Sequence, residues 1–375
     1  MTSKERLLAS LRGDAVDRPA VSFYEIDGYC QNAADPDEFN VYNAPSWAPL
    51  IRLAREQSDS TVWFGNDSRL VSHDPFAELT TTETWRDADG ARFTRTTIRT
   101  AGRTLTSLTR RDPAINTTWT VEHLLKNEDD LRAWLSVPEV EPRFITDPAS
   151  TIALEARVGD GGIVVQDNAD AVCRLASMFD MATWTILALT EQDLIMQALE
   201  RLHRIALARQ VAGCAALPGR LWRICGPEYA SEPYLPPSLF RKYVTKFNAE
   251  LVDVIHRSNG WARIHSHGNL RNILDAIADT GCDALDPIEP PHQGDITLAE
   301  VRERYGDRWT LFGNIEVTDI ENMPTPDFEQ KIATALREGV GGKGFVLMPS
   351  ASPYGRTITP TCLRNYERMI EMARM

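Results

Sequence analysis

A (β/α)8 barrel is the fold that this 375-residue sequence predicts. Three observations carry that expectation. From about residue 126 onward, short strand-like apolar runs alternate with amphipathic helical runs, giving about seven βα units. No GxGxxG follows the first strand-like run, which argues against a doubly wound nucleotide-binding sheet. Ionisable and amide side chains gather just after the strand-like runs, the end at which barrel enzymes hold their chemistry.

The elements follow in order. MTSKERLLASLR reads as a short helix closed by Gly13 and Asp14. RPAVSFYEID and then SWAPLIRLAREQ supply a first strand and helix. Residues 60–125 are β-rich. Period-two alternation runs through TTTETWRDADGARFTRTTIRTAGRTLTSLTRR, with DADG as one hairpin turn and TAGRT as a second. We expect an antiparallel β-meander here, inserted in the N-terminal third of one barrel domain spanning 1–375. Further strands are expected at 161–167, 219–225, 260–267, 282–288, 308–315 and 344–350. Between them, SLFRKYVTKFNAELVDVIHRSN has apolar residues at helical spacing and ends at Gly260. The glycine-rich GVGGKG at 339–344 precedes a strand instead of opening a helix, so it reads as a turn and not a phosphate cradle.

Composition removes several classes of function. The net charge of −13 offers nothing to a phosphate backbone, which argues against nucleic acid as a partner. No apolar run approaches the roughly 20 residues of a membrane helix. The N-terminus lacks the apolar core and cleavage site of a signal peptide, so a cytoplasmic protein is expected. The six cysteines (30, 173, 214, 225, 282 and 362) form no CxxC pair and fit neither a disulfide framework nor a Cys-rich zinc module. Most read as small core residues. Cys225, near a strand end, is the one of functional interest. Trp184 is assigned to the core or to a subunit interface, with a homodimer as the candidate assembly. Trp63 is a candidate wall for an aromatic substrate.

The richest stretch is RIHSHGNL, 263–270. In a strand His265 and His267 face the same way. Two imidazoles at a strand end either bind a divalent cation or are satisfied by backbone and water. The HxH spacing alone does not choose between these. Other strand ends bring Asp167 and Asn168, Glu228 and Tyr229, Asp286 and Glu289, Asn314 and Glu316, and Ser350, Ser352 and Tyr354. Asp167 and Asn168 are candidate substrate contacts, or caps for a helix starting near Ala169. Tyr354 is a candidate proton donor or mouth lining.

IHSHGNLRNILDAIADTGCDALDPIEPP, GDRWTLFGNIE and GGKGFVLMPSASPYGRTIT resemble the uroporphyrinogen decarboxylase-like superfamily. That superfamily includes the decarboxylase itself and the methyltransferases of corrinoid-dependent methyl metabolism. The likeness covers about 219–372, is joined by GPEYA and SKERLLASLRGDAVDRPAV, and is loose over 60–125. It implies a (β/α)8 barrel. The decarboxylase branch carries an Arg-rich motif after the first strand. Here VSFYEIDGYCQN has Glu25 and Asp27 and no arginine, which speaks against porphyrinogen decarboxylation. The methyltransferase branch binds zinc through His-x-Cys after the sixth strand and a Cys after the last. His265-x-His267 and Ala351 stand at those places, so both thiolates are absent.

The resemblance then implies zinc held by His265, His267 and a glutamate, Glu289 ahead of Glu228. Such N/O ligation leaves a stronger Lewis acid than thiolate ligation, suited to polarising an ether or phenol oxygen. The implied activity is zinc-dependent transfer of a methyl group from a small methylated substrate, such as a methoxylated aromatic. The acceptor would be a corrinoid on a separate partner protein, or tetrahydrofolate. Asp167, Asn168 or Tyr354 would orient substrate or move a proton. One alternative is a metal-free decarboxylase of a smaller carboxylated molecule, with Arg356 as a candidate cation. Another is a binding protein that keeps the barrel without catalysis.

Overall fold

The computed structural model describes residues 1–65 and 67–375. Its strands are β1 (Ala20–Val21), β2 (Ser60–Phe64), β3 (Asp67–Leu70), β4 (Thr80–Arg86), β5 (Arg92–Arg99), β6 (Thr104–Arg111), β7 (Thr118–Glu122), β8 (Phe144–Asp147), β9 (Gly162–Ala169), β10 (Leu221–Cys225), β11 (Trp261–Ser266), β12 (Ala284–Pro287), β13 (Thr310–Ile315) and β14 (Gly344–Pro349). Eight of them form one parallel sheet in the order β1-β14-β13-β12-β11-β10-β9-β2, with helices between them. This is the expected (β/α)8 barrel.

Its two end strands meet at a seam held by side chains. Asp59 N–H donates to the Val21 carbonyl at 2.6 Å, and Val21 N–H returns to Asp59 Oδ2 at 2.8 Å. The Ser22 and Thr61 hydroxyls are 2.7 Å apart across it. Asp59 is fully buried and accepts from Arg6 Nη1 at 2.6 Å and Arg18 Nη1 at 2.7 Å. Arg6 comes from the helix Ser3–Arg12, which begins in a Thr2–Glu5 capping box and ends at Gly13 in the left-handed conformation. The same helix plugs the barrel floor, where Leu7 and Leu11 pack with Ile163, Val165, Leu221, Phe312 and Val346.

Strand parity does the rest. On β10, Leu221 belongs to the interior cluster, while Trp222 and Ile224 join the core between sheet and helices. Ile264, Leu285, Leu311 and Leu347 occupy that outer core too. Trp222 presses on Gly213 in the helix Gln192–Ala216, where a Cβ would sit 2.6 Å from the indole. Trp184 is fully buried and donates to the Tyr229 carbonyl at 2.8 Å, so it is a core residue.

The segment 60–125 divides differently from the expectation. Its first run, β2, is a barrel strand. Ser60, Thr61 and Val62 are all buried, as a parallel strand covered on both faces requires. β3 pairs with β8, far along the chain. The antiparallel meander is β4-β5-β6-β7, with its turns at the two predicted places. Residue pattern reveals a strand but not its partner. The meander is anchored beside the loop after β14. Ile115 bridges Gly355, Asn116 N–H donates to the Tyr354 carbonyl at 2.7 Å, and Arg356 N–H donates to the Ala114 carbonyl at 3.0 Å.

Two boundaries also moved. The strand expected at 161–167 continues through Ala169, and the next helix starts at Ala171, capped by Asp170 instead of Asp167 or Asn168. The first strand is only Ala20–Val21, because the chain turns at Tyr24, whose φ is +54°. Among the described residues, no helix is long and apolar enough to cross a membrane.

Asp59→Ala would leave Arg18 at the seam without its carboxylate and Arg6 with Asp17 alone. The expected loss is about 3 kcal/mol or more, read as a lower urea midpoint at unchanged slope. A loss below about 0.5 kcal/mol would show that the seam does not depend on this ion cluster.

Candidate active site

The site is assembled at the C-terminal ends of β10 to β13. Register places His265 of β11 opposite Asp286 of β12. His265 Nδ1 donates to Asp286 Oδ2 at 2.8 Å. Asp286 Oδ1 lies 3.1 Å from Arg263 Nε, an ion-pair contact off the hydrogen-bonding direction. Both Arg263 and Asp286 have no exposure at all. Burial opposes the charge on Asp286, but Arg263 and His265 outweigh it and bring its pKa down to about 2. Burial takes His265 down to about 4 despite Asp286, so the ring is neutral at neutral pH. With Nδ1–H directed at Asp286, Nε2 carries the lone pair. The Tyr24 hydroxyl is 3.4 Å from that nitrogen, and burial raises the phenol pKa above its usual value.

His267 repeats the arrangement two residues further out. Its Nδ1 donates to Glu289 Oε1 at 2.7 Å, and Glu289 Oε2 accepts from Gly268 N–H at 2.6 Å. Burial works against the His267 charge, yet the Glu289 hydrogen bond and the nearby carboxylates raise its pKa overall. The two imidazole rings are 4.6 Å apart and nearly perpendicular.

Two further carboxyls adjoin His267. Glu228 stands in the turn Pro227–Ala230 after β10, and Glu316 follows β13. One oxygen of each, Glu228 Oε2 and Glu316 Oε1, is buried without a hydrogen-bond partner among the described residues. Burial pushes Glu228 up to about 7, with His267 pulling the other way. Glu316 is also pushed up to about 7, by burial and then by Glu289. Ser350 Oγ donates to its other oxygen at 3.1 Å.

The inner wall is ionic and aromatic. Arg223 Nε donates to Asp167 at 2.6 Å, and the guanidinium lies 3.8 Å from the Trp63 ring centre. Tyr24 meets Trp63 edge-on at 4.4 Å. Arg263 lies over Phe312 at 4.8 Å.

The structure thus brings His265, His267, Glu289 and Glu228 together and places Asp167 on the inward face. It sends Asn168 outward, where Nδ2 donates to Gln210 of the long helix at 2.9 Å and the residue is buried. Adjacent strand residues cannot share a face, so Asn168 does not line the mouth. Tyr354 is 53% exposed on the rim loop and is not part of the histidine cluster. Arg356 is a clamp between loops, its guanidinium bound to Asn43 Oδ1 at 2.7 Å and to the Pro113 carbonyl. The reading of the sequence missed Arg223, Arg263 and Tyr24. The two arginines were detectable by parity, each two residues before a strand-end residue of interest. Tyr24 was not, because a positive-φ turn delivers it.

Among the described residues, no three His, Cys, Asp or Glu side chains form a closed group ready to hold an ion. The donor chemistry nevertheless fits one. Each imidazole is fixed through Nδ1 by a carboxylate, the outer-shell contact that orients metal-binding histidines, and each keeps Nε2 free of a carboxylate. Glu289 then orients His267, while the orphan oxygens of Glu228 and Glu316 are the available anionic donors.

A parallel barrel with ionisable groups concentrated at one strand end defines the class. The uroporphyrinogen decarboxylase (URO-D) family model matches residues 174–374, more than half of the chain, and the chain belongs to that family. Among solved structures, a methyltransferase from Methanosarcina mazei is similar over 100% of this chain and 98% of its own, with 17% identity and a TM-score of 0.60. A D-psicose 3-epimerase from Clostridium cellulolyticum H10 shares 10% identity over 61% of this chain and 83% of its own, with a TM-score of 0.36. At these identities the likeness is one of fold. No curated protein matches the chain in sequence.

Asp170, fully buried between β9 and β10, gives a pH test. Its carboxylate caps Cys173 N–H at 2.7 Å and accepts from Asn248 at 3.0 Å. Burial raises its pKa from 3.8 to about 6. The native carboxyl therefore holds its proton where an unfolded one releases it. Its stabilising contribution is complete below the unfolded value and is lost as pH rises through about 6. Asp170→Asn should remove that part of the decline, at most about 3 kcal/mol, in unfolding free energies measured across this window. Parallel profiles for the two proteins would refute the assignment.

Proposed function

We propose that this chain is a methyltransferase acting on a small methylated substrate, with a divalent metal, zinc by donor type, at the β10–β13 mouth. The observation that carries the reading is the pair of carboxylate–imidazole dyads. Asp286 and Glu289 each fix one histidine through Nδ1, at adjacent strand ends, with the rings 4.6 Å apart. His265 and His267 would hold the metal through Nε2, with the orphan oxygen of either Glu228 or Glu316 as a third ligand. When bound, it would supply Lewis acidity towards the substrate atom that carries the methyl group.

The chain's own residues have separate tasks. Glu228 and Glu316, with pKa values near 7, hold or release a proton at neutral pH. The one that does not hold the metal can protonate the oxygen left behind when a methyl group departs from a methoxyl. Arg223, held by Asp167, orients the substrate from the inner wall, and Trp63 with Tyr24 gives that wall an aromatic edge suited to a methoxylated ring. The acceptor would be a corrinoid on a partner protein or tetrahydrofolate. The support for it is family membership.

A second reading has its own observation. Among the described residues, Arg263 Nη1 and Nη2 are buried without hydrogen-bond partners, so the barrel interior holds a guanidinium with donors to spare for a carboxylate that reaches it. That favours metal-free decarboxylation, through Arg263 and not through Arg356.

Elemental analysis separates the two. About one zinc per chain is expected after supply of the metal, lost in His267→Ala. Glu289→Gln should weaken affinity about 10–100-fold without abolishing it, because Glu289 orients a ligand. Folded protein that takes up no metal would end the metal reading and direct assays to carbon dioxide release from carboxylated substrates.

A further inference from the structure

Two thiols meet at the rim of this mouth, and the proposed methyl transfer uses neither. Cys225 ends β10 on the inward face shared with Leu221 and Arg223, in register with Ala169 of β9 and His265 of β11. Cys173 lies in the first turn of the helix Ala171–Ala176 that follows β9. The two turns are joined through Asp170, whose N–H donates to the Cys225 carbonyl at 3.0 Å while Oδ1 caps Cys173 N–H at 2.7 Å.

Gly226 permits the contact. Its φ is +121°, and a Cβ there would stand 2.1 Å from Cys173 Cβ. The Cys173 side chain therefore rests directly on the Cys225–Gly226 link. Cys225 Sγ lies 3.7 Å from the Asn168 carbonyl, and the neighbouring Cys225 thiol raises the Cys173 pKa. Both keep partial solvent access, unlike Cys214, Cys282 and Cys362.

We propose that Cys173 and Cys225 form a two-thiol modification site that closes to a disulfide, with a peroxide as the oxidant. One sulfur, as thiolate, attacks the peroxide O–O bond, giving a sulfenic acid and one water after protonation. The second sulfur displaces the sulfenic oxygen as another water. Two thiols and hydrogen peroxide thus become one disulfide and two waters, the sulfurs losing two electrons and the peroxide gaining them. The bond ties the turn after β9 to the turn that carries Glu228, so oxidation acts directly on the mouth. The neighbouring Cys225 thiol and burial raise the Cys173 pKa, so closure is slow at neutral pH and accelerates in base.

The test is on the intact chain and does not require its activity. Folded protein is exposed to hydrogen peroxide at about pH 8.5, alkylated, digested without reduction and analysed by mass spectrometry. The expected result is a linked peptide pair containing Cys173 and Cys225, with a mass about 2 Da below the reduced pair, reversed by dithiothreitol and absent from C173S and C225S. The proposal is overturned if exposed Cys30 is oxidised while Cys173 and Cys225 stay reduced, or if the two are oxidised separately with no link between them.

Discussion

Asp286 is a carboxylate sealed inside the barrel, and the geometry of the mouth depends on how it is neutralised. A charge with no exposure is tolerated only beside compensating charge and hydrogen-bond donors. Arg263 and His265, both from the neighbouring strand, provide them. The consequence passes outward. Asp286 selects the His265 tautomer and holds the ring, and His267 follows two residues later on the same face. The loop after β12 then supplies Glu289 to hold the second ring. Two adjacent strands thus provide two imidazoles and the two carboxylates that orient them.

Charge is distributed unevenly around this arrangement. Deeper in the barrel, Arg223 with Asp167 and Arg263 with Asp286 are pairs of opposite charge. Nearer the opening, Glu228 and Glu316 have His267 nearby but form no ion pair among the described residues, and burial brings both pKa values to about 7. A site whose unmatched groups are acids at the edge of ionisation favours a cation and also supplies protons. That is why metal binding and proton transfer appear in the same reading. The meander serves this region indirectly. Its 112–116 loop and Arg356 secure the loop after β14, which gives Arg356 a structural role in place of a substrate-binding one.

The sequence by itself determined the barrel, the two meander turns and most strand positions, because hydrophobic period and turn chemistry are local properties. It also determined that His265 and His267 share a face, since strand parity needs no partner. Which elements are neighbours was decided only by the tertiary structure. β2 joined the barrel although its pattern resembles the meander strands, because both faces of Ser60–Val62 are covered. Asp167 and Asn168 are adjacent and ionisable or amide alike, and only the position of the helix Gln192–Ala216 shows that Asn168 is the one facing away from the mouth. The pairing of His265 with Asp286, the arrival of Tyr24 from a left-handed turn, and the contact between Cys173 and Cys225 all depend on register or on chain segments far apart in sequence. A linear pattern specifies which way a side chain faces along its own strand. What it faces is set when the strands close on one another.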